Sequence, residues 1–250
     1  MSKTQSYTLI GANRPSRFVI LCDHASNRVP IEIANGDLGL PPTDMERHIA
    51  FDVGAAGVSL ALGEALNAPV LLSEFSRLVI DPNRGEDDPT LIMQLYDGSI
   101  IPSNRLISEE DREFRIETYH RPYRHMAEEL ARSRPDPILV AIHSFTPALR
   151  GRPPRPWEIG ILFAEDRRFS DPLISILEQE TSYTVGKNEP YNGALKGDTM
   201  DEIGIQKGRL HALIELRNDL ITKEADQVNW GSELAHYLTK TSEMLEIENG

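Results

Sequence analysis

Two histidines, a glutamate and an arginine stand in short polar words that abut or interrupt apolar runs: CDHAS at His24, DPNR at Arg84, AIHSF at His143 and IELRND at Glu215. Two neutral imidazoles and one carboxylate form a common catalytic zinc shell, with the fourth position left for water. Zinc lowers the pKa of such a water toward about 7, and a nearby carboxylate can take its proton as it attacks a carbonyl. Glu215 suits that second role, because a carboxylate inside an apolar strand is costly to bury without a task. The plainer alternative is an ion pair with Arg217, which strand alternation puts on the same face. Arg77, Arg84 and Arg217 can grip a substrate carboxylate through two parallel hydrogen bonds or polarise the reacting carbonyl. In the NEPYNG loop, Pro190 and Gly193 can shape a turn that presents Tyr191 and Asn192 to a substrate.

Residues so far apart in sequence meet only if the fold collects them at one edge. Strand-length apolar runs alternate with longer helical patterns, which predicts an α/β chain with three αβα layers around a mixed, mostly parallel sheet. Ligands bind beyond the carboxyl ends of strands in such sheets, and His24, His143 and the ELR segment all stand at such ends. FVILCDH (18–24) reads as a buried strand, residues 44–66 as an amphipathic helix broken near Asp52 and Gly54, and PVLLSEF (69–75) as the next strand. A loop over 82–103 leads to a helix over 108–133, opened by Ser108 and Asp111 as a modified capping box. PILVAIHSF (137–145) is the clearest central strand, and ALRGRPPRPW after it is a lid or a solvated loop. EIGILFAE, SYTVGKN and RLHALIELR continue the strands, with helices over 171–180 and 223–245.

At 250 residues, with 40% hydrophobic and 26% charged residues and no repeat or linker, a single domain over 1–250 is expected. The net charge of −13 opposes nucleic-acid binding, yet a local arginine cluster can still invert the field inside a cleft and admit a small anion. One cysteine, Cys22, excludes an internal disulfide and fits a reducing compartment. MSKTQSYTLIGANRPSRF has no apolar core of signal-peptide length, and no segment reaches the roughly 18 apolar residues of a membrane helix. A soluble, cytoplasmic protein is the expectation, with the oligomeric state left open.

IHSF, NR and ELRND resemble the IHS, NR and ELRD segments of zinc carboxypeptidases, in the same chain order. That resemblance implies His24 and His143 as metal ligands, Glu215 as base and the Asn83–Arg84 pair at the substrate carboxylate. Arg77 in SRL is the oxyanion-stabilising candidate. The HxxE spacing of those enzymes falls here on Asn27, and a neutral amide is a poor zinc ligand. A loop inserted before the helix lets Asp52 supply the oxygen instead, with Asp44, Glu46 and His48 as competitors and a helix N-cap as the plainer role for Asp52. His120 and His125, on the long helix, stay outside the expected shell.

Over almost the whole chain the sequence resembles the N-formylglutamate amidohydrolase family, through DHAS, RHIAFDVGA, SRLVIDPNR, YHRPY, IHSF, NEPYNG and ELRND, although DHAS departs from the family's PHSG or PHAG form. The resemblance implies one zinc ion and hydrolysis of a small anionic N-acyl amino acid, N-formyl-L-glutamate first, to a small acid and a free amine. The alternatives are another zinc aminoacylase, an aspartoacylase-like enzyme or a carboxypeptidase, separated by substrate profile, and a metal-free amino-acid-binding module, separated by metal content.

Overall fold

The apolar runs do become strands, and their alternation sorts side chains to two faces. A computed structural model describes residues 5–249. Its main sheet contains β1 (Tyr7–Ile10), β2 (Phe18–Cys22), β3 (Val70–Ser73), β6 (Ile138–Phe145), β7 (Ile159–Leu162), β8 (Val185–Lys187) and β9 (Leu210–Arg217), in the order β1-β3-β2-β6-β9-β7-β8. The pairs β3/β2, β2/β6, β6/β9 and β7/β8 are parallel, whereas β1/β3 and β7/β9 are antiparallel. This is the mixed, mostly parallel α/β sheet expected. The small strands β4 (Leu95–Tyr96) and β5 (Ser99–Ile100) form a separate hairpin that the sequence reading left inside a loop.

The helices are α1 (Pro42–Met45), α2 (Ala55–Ala65), α3 (Glu109–Arg115), α4 (Arg121–Arg132), α5 (Ser170–Glu180), α6 (Thr199–Ile203) and α7 (Glu224–Asn249). Phe18, Ile20 and Cys22 of β2, with Ile138, Val140 and Ile142 of β6, pack against α2, α5 and α7. Val19, Leu21, Leu139 and Ala141 pack on the other face against α4 and α6. Period-two burial on both faces is what a central parallel strand requires. A third apolar cluster, with Ile49, Phe75, Leu78, Ile101 and Tyr119, lies beneath the long loops beyond the strand ends.

One helix expectation holds and one changes. The run over 44–66 breaks near Asp52 and Gly54 as expected, into α1 and α2: Gly54 has φ +81, any side chain there would meet the Ile221 carbonyl, and the chain turns between Asp52 and Ala55. The helix over 108–133 starts as expected, with the Ser108 hydroxyl accepting from the Asp111 amide, but Ile116–His120 form a π-helical turn between α3 and α4.

Candidate active site

The parallel register performs the first assembly step. β6 pairs with β9 so that His143 stands directly beside Glu215, and both are buried. His24 follows the end of β2, the other neighbour of β6, which brings its ring within 4.9 Å of the His143 ring, centroid to centroid. Asp52 arrives on the turn before α2. Its amide donates to the His24 carbonyl at 2.9 Å, and the Ser144 amide donates to its Oδ2 at 3.3 Å. Gly54, not Asp52, is the N-cap residue of α2, and no side chain caps that helix, so the capping role for Asp52 falls away.

Both histidines aim the same nitrogen at the same oxygen. His24 Nδ1 is 3.2 Å and His143 Nδ1 2.9 Å from Asp52 Oδ2, and one ligand atom from each residue lies within 4.8 Å of the others. Ligand atoms around a tetrahedral zinc with bonds near 2.0–2.1 Å stand about 3.4 Å apart, so the donor set fits such an ion in both chemistry and spacing. The far nitrogens are taken: His24 Nε2 lies 2.7 Å from Asp81 Oδ1, and His143 Nε2 3.1 Å from Asp23 Oδ2. A carboxylate behind each ring fixes the Nε2–H tautomer and turns the Nδ1 lone pair inward, the usual support of a metal-binding histidine.

Charge balance keeps these acids ionised against burial. Burial would raise the Asp52 carboxyl, yet His24 and His143 hold it far below the usual range; Asp81 is likewise depressed, by Arg77 and His24. Burial opposes the charge on His143 too, but its bonds to Asp23 and Asp52 raise it well above an ordinary histidine. Arg77 reaches Asp81 Oδ2 through Nε and a terminal nitrogen, at 3.2 and 2.8 Å, and Asp52 Oδ1 at 3.3 Å. Glu215 differs. Its Oε2 is buried with no hydrogen-bond partner among the described residues, and burial foremost, with the Asp52 charge adding, pushes its carboxyl up to about 7.

His24, Asp52, Arg77, His143 and Glu215 line one cleft of about 670 Å³, whose apolar wall includes Leu162, Leu195 and Leu213. Asn83, Arg84, Tyr191 and Asn192 line it as well, together with His48, Tyr96 and Asp198. The Asp198 carboxyl is pushed up to about 6, chiefly by burial. Arg84 donates to the Asn83 carbonyl and the Thr90 hydroxyl, and pairs with no carboxylate among the described residues. Its backbone is gripped from below: His120 Nε2 lies 2.8 Å from the Arg84 carbonyl, and Arg124 donates to the Pro82 carbonyl at 2.9 Å.

Arg217 is not among the residues lining the cleft: it turns to Asp219 at 2.8 Å and to the Trp157 carbonyl, and makes no ion pair with Glu215 among the described residues. Asn27 is exposed and donates to the Met45 carbonyl, Asp44 is held by Arg47 and Ser99, and Glu46 is exposed. His48 lines the cleft near Asp97 but lies outside the His24–Asp52–His143 group.

The family model for N-formylglutamate amidohydrolase matches residues 16–222, a span containing every residue of the cleft. The solved structure of gene product Atu2144 from Agrobacterium tumefaciens is similar over 98% of both chains, with 31% identity and a TM-score of 0.91. N-formylglutamate amidohydrolase from Ralstonia eutropha is similar over 94% of this chain and 98% of its own, with 20% identity and a TM-score of 0.70, a likeness of fold. No curated protein matches the chain. With its matched span covering most of its length, the chain belongs to the N-formylglutamate amidohydrolase family.

Proposed function

We propose that this chain is a zinc-dependent amide hydrolase that releases formate from an N-formyl amino acid, N-formyl-L-glutamate first among them. The observation that carries the reading is the pair of Nδ1 atoms meeting on Asp52 Oδ2, with an unpartnered Glu215 oxygen in the same cleft. His24, Asp52 and His143 would hold the ion. Bound there, zinc supplies Lewis acidity, polarising the formyl carbonyl and making water acidic enough to lose a proton near neutral pH.

The chain's own groups do the rest. Glu215, with its carboxyl near 7, is matched to taking the proton of the attacking water and returning it to the departing amine nitrogen. The water oxygen bonds to the formyl carbon, the C–N bond breaks, and formate and a free amine leave. Arg84, beside Asn83, holds the α-carboxylate, and Tyr191 and Asn192 border the substrate. Arg77 first neutralises Asp52 and Asp81; only the N–H bonds they leave unused reach a developing oxyanion. The burial of His24, Asp52, His143 and Glu215 strengthens each of these interactions.

We read residues 1–250 as one catalytic domain. No helix among the described residues is long and apolar enough to cross a membrane, and Cys22 is buried and free, which supports placement in a reducing cytoplasm. The test is formate release by the zinc-loaded protein from N-formyl-L-glutamate, run beside N-acetyl-L-glutamate and a dipeptide. Activity on the acetyl or peptide substrate alone would replace this reading with the aminoacylase or carboxypeptidase alternative. A protein that retains no metal yet binds the amino acid would replace it with a binding module.

A further inference from the structure

A second cavity, of about 1110 Å³, adjoins the Arg84 loop, and two touching backbone segments stand between it and the cleft. Arg84 lines the cleft and Gly85 the cavity; Lys196 and Gly197 line the cavity, while Leu195 and Asp198 on either side of them line the cleft. The partition is a glycine contact: a Cβ on Gly197 would stand 3.0 Å from the Gly85 Cα, and one on Gly85 3.3 Å from the Gly197 Cα. Arg124, buried in the cavity wall, ties the two segments together through the Pro82, Gly197 and Asp198 carbonyls at 2.9, 3.0 and 3.0 Å. A ligand in this cavity therefore bears on the loop that carries Arg84.

His120 supplies the clearest demand for such a ligand. Its ring lines the cavity and is buried, and burial lowers its pKa below that of an ordinary histidine, which favours the neutral form. The Arg84 carbonyl, 2.8 Å from Nε2, can only accept, so Nε2 carries the hydrogen and Nδ1 presents a lone pair. That Nδ1 is buried and has no hydrogen-bond partner among the described residues. The ionised acids that share the cavity are acceptors too and cannot answer it. Glu86 and Glu202 pair with Arg121 and Arg124, but Asp87, Asp88 and Asp201 form no ion pair among the described residues, and the remaining cation of the lining, Lys196, is exposed. A ligand that is both cationic and rich in N–H donors meets both demands. A divalent metal ion does not, because among the described residues only His24, Asp52 and His143 bring three ligating atoms within 4.8 Å of one another.

We infer that this cavity binds a primary alkylammonium ion, an N–H donating to His120 Nδ1 and the charge balanced by the surrounding carboxylates, and that binding tightens the hold on Arg84. An imidazole that accepts at one nitrogen donates more strongly at the other, so the ligand strengthens the bond to the Arg84 carbonyl and steadies the loop. The site stands apart from the hydrolase reading above; only its effect on substrate binding at Arg84 rests on that reading.

Calorimetric titration of the zinc-loaded protein with diaminobutane, at about 0.15 M salt to screen loose surface attraction, should show a single site. The fully N-methylated quaternary analogue has the same charges and no N–H, and should bind at least about tenfold more weakly, the scale of a lost hydrogen bond to a charged group. His120→Phe, which keeps a ring without an acceptor, and Asp87→Asn combined with Asp201→Asn, which keep shape without charge, should each weaken binding by a similar factor. Glu243→Gln, an exposed position on α7, should not. No binding, equal binding of the quaternary analogue, or an equal loss in Glu243→Gln overturns the site. Saturating diaminobutane should lower KM for N-formyl-L-glutamate by about fivefold in the wild type and have no effect in the Asp87→Asn, Asp201→Asn protein; an unaltered wild-type KM overturns the link to Arg84. If the wild type cleaves no N-formyl amino acid, the hydrolase reading fails separately, and the titration alone decides the site.

Discussion

Replacing Glu215 by Gln should make the protein worse at its reaction and better at staying folded. The carboxyl is buried, lacks a partner at Oε2 among the described residues and is pushed up to about 7 from an ordinary 4.5. The distance between those values corresponds to about 3 kcal/mol of strain from holding the charge inside the metal-free fold at pH 8. Gln removes the charge at nearly constant shape, although its amide is no better hydrogen-bonded, so the net gain should be about 1–3 kcal/mol. The sign follows from proton binding. The folded state holds this proton more tightly than the unfolded chain, so wild-type stability falls as pH rises from 4.5 through about 7. The advantage of Glu215→Gln therefore grows across that window and is nearly absent at its lower end. Urea unfolding of both metal-stripped proteins at pH 5 and pH 8 reads the difference directly. The zinc-loaded variant should meanwhile lose at least about 100-fold in kcat with its metal retained. Normal turnover would refute the base assignment, and a variant less stable at pH 8 would refute the account of an isolated, desolvated carboxylate.

His143→Ala should lose zinc and turnover together, because three protein ligands leave little redundancy; stoichiometric zinc by metal analysis with full activity would exclude it from the shell. The same assay on Asp52→Ala and Asn27→Ala should show loss only in the first, and the reverse pattern would reassign the third ligand. Asp23→Asn and Asp81→Asn should each weaken zinc retention by about 10–100-fold in chelator competition, through the ring each orients, and unchanged retention would reduce both to packing roles. Arg84→Ala should raise KM for N-formyl-L-glutamate by about 10-fold or more. His120→Leu, acting through the Arg84 backbone, should raise it by about 3- to 10-fold, with kcat less affected and partial rescue by His120→Gln; an equal fall in kcat for both would contradict a clamp.

His24, His143 and Glu215 were legible because each ends or interrupts an apolar run, and a parallel sheet aligns such positions at one edge. Asp52 was legible as a candidate ligand, and the break near it and Gly54 was read; the left-handed turn that delivers it was not, since DVGAAGVSLALGEAL keeps a helical pattern across Gly54. Asp23 and Asp81 went unread inside quoted words. The missing step was chemical: a histidine binding metal through one nitrogen needs an acceptor at the other, and each acid lies at a strand end or in the loop beyond it. Arg217 obeys the alternation rule yet leaves the site, because the 3-10 turn at Asn218–Leu220 places Asp219 within its reach. His120 and Arg124 are spaced one helical turn apart, but only the tertiary fold reveals that they grip the Pro82–Arg84 backbone. The hairpin of β4 and β5, two residues per strand, is too short for any periodicity to register.

The contacts around His143 also bear on when the site comes into being. Its bonds to Asp52 and Asp23 join residues 91 and 120 positions apart, across the parallel pairing at the centre of the sheet. Closing such long stretches of chain is slow, and parallel strands cannot be joined by a short hairpin. Helices α2 and α4 can fluctuate into shape early, but the two imidazoles become neighbours only after β2, β6 and β9 have docked. A metal ion arriving sooner finds single, scattered ligands. Capture of an ion by this group would thus belong to the end of folding, with the ion a latch on a finished scaffold, not the template around which it is built.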